Sequence, residues 1–288
     1  MKKLMSVQGN DRGHWVGDGF PVRTLFFYQD MGEQMSPFLM LDFAGPMQFP
    51  STTERKGVGS HPHRGFETVT FVYEGEVAHK DSTGQGGVIG PGDVQWMTAG
   101  AGILHEEFHS EAFAKEGGLM QMIQLWVNLP AKDKMTKPGY QPILRQQIPE
   151  LTLENAAGTA RVIAGSFGGK TGPARTFTPL QVVDLKLMQG TTLTIPVPEG
   201  WSTGLVVLHG AVQSQEGSVA TDAQMLMYEH AGQDITVQIL EDTVALLLCG
   251  EPIKEPIFGH GPFVMNTKSE IIQAIEDFNS GRFGRIEA

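Results

Sequence analysis

His61-Pro62-His63-Arg64-Gly65-Phe66-Glu67-Thr68 and, further on, Gly102-Ile103-Leu104-His105-Glu106-Glu107-Phe108 are the two runs whose reading decides the fold. Each carries two ligand-type side chains two residues apart: His61 with His63, and His105 with Glu107. On an extended strand alternate side chains leave the same face, so each pair aims both groups at one point. Two such strands facing each other across a small barrel would gather three imidazoles and one carboxylate. Imidazole with carboxylate suits a borderline first-row ion, and iron, nickel, manganese, copper and zinc all fit that donor set. An ion preferring six ligands would keep positions open for water or substrate. A lone His-x-His is more often a surface or core feature than a ligand pair. Here the second pair strengthens the metal reading, and so does the segment between. Gly75, Gly84, Gly86, Gly87, Gly90 and Gly92-Asp93 punctuate it as hairpin turns. Thr68–Tyr73 and Gly87–Ile89 between those turns read as strands.

The first run, with Glu67 following His63 after three residues and Gly75 on the next turn, resembles the first cupin motif. The segment PGDVQWMTAGAGILHEE, ending at Glu107, resembles the second. The wording is narrower still. HPHRGFETVTF, the second-motif run, QLWVNLP and GEPIKEPIFGHGPFVMNTKSEI together resemble the pirin family, from about Arg23 to Ile286. That resemblance implies an all-β chain of two cupin (jelly-roll) β-barrels packed together, with a short C-terminal helix. It implies one divalent transition metal held by His61, His63, His105 and Glu107, with Fe(II) as the leading candidate and Ni, Mn, Cu, Co or Zn as alternatives. In cupins at large the acidic ligand would be Glu67; in pirins it is the position of Glu107. Following the pirin pattern, Glu67 becomes a supporting group or an acceptor for Arg64, and Glu106 points outward to solvent. If Glu67 were the ligand, Glu107 would be a free base above the metal.

Some bacterial pirin-like proteins act as quercetin 2,3-dioxygenases, so the resemblance implies a flavonol-like planar aromatic substrate and O2. The metal's charge would acidify the flavonol hydroxyl. Glu107 would take its proton as general base, and the ring would open with loss of carbon monoxide. Met97, Ile103, Phe43, Met40, Phe71 and Met122 are candidates for an apolar pocket wall. A reading of another class is a non-catalytic regulator acting by contact with a protein partner, its metal a redox-sensitive switch. A third is a structural metal with incidental activity.

Composition sets outer limits. The 288 residues allow one large domain or two moderate ones, and 36 glycines with 17 prolines against 8% aromatic residues favour many turns. A net charge of -11 without a basic stripe argues against direct nucleic-acid binding. Cys249, the single cysteine, sits in an apolar run and reads as a core residue. No segment reads as a signal peptide or membrane span, so the expectation is a cytoplasmic protein, with a monomer as the default.

Along the chain, His14-Trp15 has no ligand partner nearby, while Val22–Phe27 and Phe38–Phe43 read as strands. Gln121–Pro130 reads as the strand closing the first barrel, and the polar stretch Ala131–Pro142, with Lys132, Lys134 and Lys137, as a linker with a solvated basic face. This places an N-terminal metal-binding cupin domain at 1–135 and a second cupin domain at 136–288. The second half repeats the strand rhythm, and Leu205–Gly210 matches Val69–Gly75 in pattern. Its histidines, His209, His230 and His260, are scattered, so no metal is expected there. Thr267 or Asn266 can cap a final helix at about 267–280, with Glu270 in a capping box, Ile271, Ile272, Ile275 and Phe278 at helical spacing, and Gly281 as its stop. Gly261–Met265 is expected to lie back across the first barrel, as the resemblance implies.

Overall fold

Strands separated by glycine turns follow one another through residues 1–287, which the computed structural model describes. In chain order the first half comprises β1 (Leu4–Gly9), β2 (His14–Val16), β3 (Phe20–Phe27), α1 (Tyr28–Met35), β4 (Phe38–Phe49), β5 (Gly57–His63) and β6 (Phe66–Glu74). There follow β7 (Val77–Asp81), β8 (Gly86–Ile89), β9 (Val94–Thr98), β10 (Ile103–His109), α2 (Glu111–Glu116), β11 (Gly118–Asn128) and β12 (Gly139–Ile143).

The unit that carries the ligand-type pairs contains a seven-stranded sheet, ordered β12-β9-β6-β11-β4-β3-β2, and a four-stranded sheet, ordered β5-β10-β7-β8. Thus β11 lies inside its sheet, between β6 and β4, and does not close the barrel. Alternation fixes which side chains point inward. Phe20, Ala44, Val72, Ile89 and Met122 form one buried apolar cluster. Burying each large apolar side chain of this kind stabilises the fold by about 1.5–3 kcal/mol. Met97, Ala99 and Ile103 form a smaller cluster against Tyr140.

The second unit repeats the plan. Its seven-stranded sheet includes Gln224–Tyr228, Ser202–His209 and Thr243–Gly250 side by side, and its four-stranded sheet begins with Thr192–Pro196 beside Asp234–Ile239. The strand containing Leu205–His209 is flanked on both sides, as β6 is by β9 and β11. The interior here is dominated by apolar side chains: Leu193, Ile195, Ile235 and Val237 alternate inward, and Cys249 is fully buried among them. Burial pushes the Cys249 thiol up to about 12, which keeps it an inert core residue.

The two compact units do not part at residue 135/136. One comprises Met1–Asp11, Leu25–Leu39 and Gln146–Ile253; the other comprises Arg12–Thr24, Met40–Arg145 and Lys254–Ala288. The cause is backbone pairing. β1 pairs antiparallel with Gln224–Tyr228, completing a sheet more than two hundred residues away in sequence. The strand Phe263–Met265 returns to the first barrel, where Val264 N–H donates to the Arg64 carbonyl at 3.0 Å. The final helix α3 (Lys268–Asn279) is capped as the sequence indicates. Thr267 Oγ1 accepts from Glu270 N–H, and Glu270 accepts from Asn266 N–H at 3.0 Å. Ile271 and Ala274 are buried with Phe263, Met265 and Phe283, whereas Ile272 is turned to solvent. Among the described residues, no helix is long and apolar enough to cross a membrane.

Candidate metal centre

The two ligand-type pairs lie on neighbouring strands, not on strands facing each other. β10 is hydrogen-bonded to β5 on one side and to β7 on the other. His105 stands opposite His61, and Ile103 opposite His63. Between His105 and Glu107 the register with β5 slips by a bulge, so that Glu107 stands opposite Val58 there and opposite His79 on β7. The bulge re-aims the second pair. His61, His63 and His105 bring their ring nitrogens within 4.8 Å of one another; Glu107 joins a second group of the same span with His105 and His79. His105 is common to both. The sequence reading put His61, His63, His105 and Glu107 around one point and did not include His79.

The imidazoles are tightly grouped. Ring centroids are 4.2 Å apart for His61 and His105, 4.8 Å for His63 and His105, and 4.9 Å for His61 and His63. His63, His105 and Glu107 are buried, while His61 is half-buried. Burial, followed by the neighbouring rings, drives the His63 and His105 imidazoles well below their ordinary range, so both are neutral at physiological pH with a lone pair to offer. His61 Nδ1 lies 2.8 Å from the Gly59 carbonyl. Such an acceptor fixes the tautomer of a ligating histidine. His63 Nδ1 and His105 Nε2 are buried without any partner. Orphaned buried nitrogens of this sort are costly unless something else binds them, and neutral imidazoles beside a carboxylate are the donor chemistry of a transition metal.

Glu107 is held by two amide donors, Gln95 at 3.5 Å on Oε1 and Gln124 at 3.1 Å on Oε2, and the Thr70 hydroxyl, 3.2 Å from Oε1, braces Gln124 through its shorter 2.8 Å bond to Gln124 Oε1. Thr70, Gln95 and Gln124 therefore point into the barrel. Glu67 lies three positions from Thr70 on an unbroken stretch of β6, which turns it to the opposite face. There it accepts from Thr98 at 2.7 Å. Burial pushes its carboxyl up to about 7. Glu67 is in neither ligand group, and it does not pair with Arg64. Arg64 bonds Asp277 at 2.9 Å and stacks on Phe283. Glu106 does point outward, but it is paired with Arg55 at 3.0 Å.

The expected pocket wall divides by the same alternation. Met97 and Ile103 lie on the inner face with Tyr140, and Met122 belongs to the apolar cluster deeper in the barrel. Phe71 is odd against Thr70, and Phe43, under the Arg23 guanidinium, is odd against Ala44; both turn away from the site. Its aromatic walls are others. Phe66 and Trp126 flank His63, with His63–Trp126 centroids 5.5 Å apart, and Tyr140 stacks on His79 at 5.0 Å.

The stretch read as a linker is part of this unit. Gly139–Ile143 pairs with β9, and Lys134 is buried rather than solvated. Its ammonium donates to Gly65 O, Asn128 Oδ1 and Val264 O at 2.8, 2.7 and 3.0 Å. Gly65 permits this approach. Its φ is +88°, and a Cβ there would lie 2.0 Å from the Val264 carbonyl oxygen.

Two similar β units, one with a buried cluster of histidines and carboxylate on neighbouring strands and one filled with apolar side chains, define a two-domain cupin. The chain belongs to the pirin family: the Pirin model matches residues 19–127 and the Pirin C-terminal cupin domain matches 182–284. A Pseudomonas aeruginosa protein provisionally named as a quercetin 2,3-dioxygenase is 53% identical over 285 residues, covering 99% of each chain. Mouse pirin is 39% identical, over 98% of this chain and 94% of its own. The crystal structure of a quercetin 2,3-dioxygenase from Acinetobacter baumannii superposes with a TM-score of 0.97 at 54% identity, covering 100% of both chains.

Proposed function

We propose that this protein is a metal-dependent dioxygenase of the quercetin 2,3-dioxygenase type, with His61, His63, His105 and Glu107 as the residues that hold a divalent transition metal, iron(II) first among them. The observation that carries the reading is the pair of partnerless buried nitrogens, His63 Nδ1 and His105 Nε2, within a cluster of neutral imidazoles beside an anchored carboxylate. The names of the relatives at 53% and 54% identity support the substrate class. When bound, the metal supplies Lewis acidity that lowers the pKa of an enolic hydroxyl.

The chain's own residues do the rest. Half-buried His61 marks the edge from which a planar substrate approaches. Trp126, Phe66 and Tyr140 offer apolar faces that position an aromatic ring and exclude water. Glu107 receives the hydroxyl proton on a carboxylate oxygen, while Gln95 and Gln124, the latter braced by Thr70, fix its orientation.

The test is metal analysis of the purified protein coupled to oxygen uptake with quercetin. Turnover that needs His61 and is abolished in Glu107→Gln, with much of the metal retained, is the expected result. Unchanged turnover in Glu107→Gln would refute its role as base. Stoichiometric metal without turnover in iron, nickel, manganese and copper forms would favour a regulator that acts on a protein partner.

A further inference from the structure

The second group of ligand-type side chains, His79 with His105 and Glu107, differs from the first in one respect: its nitrogens are already engaged. His79 Nε2 lies 3.2 Å from Asp81 Oδ2, and His79 Nδ1 lies 3.2 Å from Gln95 Nε2 and 3.4 Å from His105 Nδ1. These contacts fix the proton positions by elimination. The Gln95 amide nitrogen also faces Glu107 Oε1, and Gln95 Oε1 faces the Tyr140 hydroxyl. A carboxylate only accepts, so Gln95 presents its NH2 to Glu107 and to His79 Nδ1. His79 Nδ1 is then an acceptor, and its proton is on Nε2, donated to Asp81. Both ends agree, because Asp81 is itself an acceptor. His105 Nδ1 faces the same lone pair at 3.4 Å; a second lone pair there would repel it, whereas an N–H is accommodated beside that of Gln95, so the arrangement favours a proton on His105 Nδ1. That leaves the His105 lone pair on Nε2, the atom that is buried without a partner.

We infer that Asp81 and His79 form a two-residue positioning relay that holds His105 as its Nδ1–H tautomer and so presents Nε2 to the metal. The inference rests on the metal reading above and goes beyond it in assigning roles to two residues outside the ligand set. The chain of groups is carboxylate, imidazole, imidazole, metal. It is one imidazole longer than the usual carboxylate–histidine–metal arrangement, and it tunes the basicity of His105 as well as its orientation. Asp81 is built to hold still. Its Oδ1 accepts from Thr83 N–H at 2.8 Å, Thr83 Oγ1 at 2.6 Å and Gln85 N–H at 3.2 Å, leaving Oδ2 for His79. Tyr140 stacks on the other imidazole at an interplanar angle of 11° and fixes its plane.

Asp81→Asn is the decisive variant, because it is isosteric and can keep the three bonds to Oδ1. Its amide would donate to His79 Nε2, put the His79 proton on Nδ1, and drive the His105 proton to Nε2, where the metal should bind. His79→Asn should instead preserve function, because its Oδ1 can stand in for the accepting Nδ1; His79→Leu cannot accept. Nitrogen-15 spectra of the histidine rings in the full-length chain, with and without zinc(II), read the tautomer directly, and competition with a chelator reads zinc affinity. The expected result is Nδ1–H on His105 in the wild type and Nε2–H in Asp81→Asn. Zinc affinity should fall about 10- to 100-fold in Asp81→Asn and His79→Leu, and stay near the wild-type value in His79→Asn. Wild-type His105 protonated at Nε2, or an Asp81→Asn chain with unchanged tautomer and affinity, would overturn the relay. Loss of zinc stoichiometry in both His79 variants would also overturn it, by making His79 a ligand. An Nδ1–H tautomer in a wild-type chain that takes up no metal would support the relay and refute only the metal reading.

Discussion

Replacing Lys134 with methionine keeps the reach of a side chain that is 1% exposed and deletes its ammonium. The Gly65 and Val264 carbonyls and Asn128 Oδ1 lose their donor at 2.8, 3.0 and 2.7 Å. A buried acceptor stripped of its partner costs about 1–3 kcal/mol. Against three such losses stands the relief of no longer burying a charge, so the net destabilisation at neutral pH is about 2–4 kcal/mol. The pH dependence is sharper. Burial pushes the Lys134 ammonium down to about 7, opposed by Glu255 and Glu270. An unfolded lysine titrates near about 10.4. Between these values the unfolded chain holds a proton that the folded chain has released, so stability rises with pH. The cost of burying the charge is complete below the folded value and absent above the unfolded one. At about 1.4 kcal/mol per unit, the wild type should gain up to about 4 kcal/mol on K134M between pH about 7 and about 10. Urea unfolding of both chains across that range measures the difference, in which the other titrating groups cancel. A difference flat in pH would refute the depressed ammonium. Equal stability throughout would refute the latch itself.

Glu67 gives the opposite slope. Its carboxyl is pushed up by burial to about 7, against about 4.3 when unfolded, so stability falls as pH rises through that window, by up to about 4 kcal/mol. Glu67→Gln should remove the slope in pH-dependent urea melts; a wild-type curve parallel to that of the variant would refute it. Asp277→Ala leaves the buried Arg64 guanidinium without its carboxylate and should cost about 3–5 kcal/mol, read as a lowered thermal midpoint; an unchanged midpoint would show that Ala101 O and Phe283 suffice. Thr267→Ala removes the side-chain cap of α3 and should cost about 1 kcal/mol, visible as faster amide exchange in residues 268–271; unaltered exchange there would count against the cap.

Local patterns carried much of this structure. His-x-His and His-x-Glu with glycine turns between them located the barrel and three of the clustered imidazoles, and Thr267 with Glu270 located the final helix. What they missed has physical reasons. His79 stands alone in Val77-Ala78-His79-Lys80-Asp81, and only strand order reveals that β7 lies beside β10. The signal available was its alternation, since Val77, His79 and Asp81 are all buried. Lys134 was misread because composition reports a polar stretch and cannot report that three carbonyls converge on one nitrogen. For Glu67 the general cupin pattern and the pirin pattern give different roles, and its face follows only from the register of β6 with β9. The division at 135/136 failed because β1 and Phe263–Met265 pair over long sequence distances that leave no local trace.

That interleaving has a consequence for how the protein is made. Leu4–Gly9 are translated more than two hundred residues ahead of their partner Gln224–Tyr228. The strands around His61 and His105 are translated well before the Pro262 carbonyl, which accepts from Arg64 N–H, and the Val264 carbonyl that takes the Lys134 ammonium. Such non-local closures are slow and expose unpaired edges while they wait. Neither barrel can finish as an independent module behind the other during synthesis. The half-made chain must carry its unfinished histidine cluster until residues 262–265 arrive.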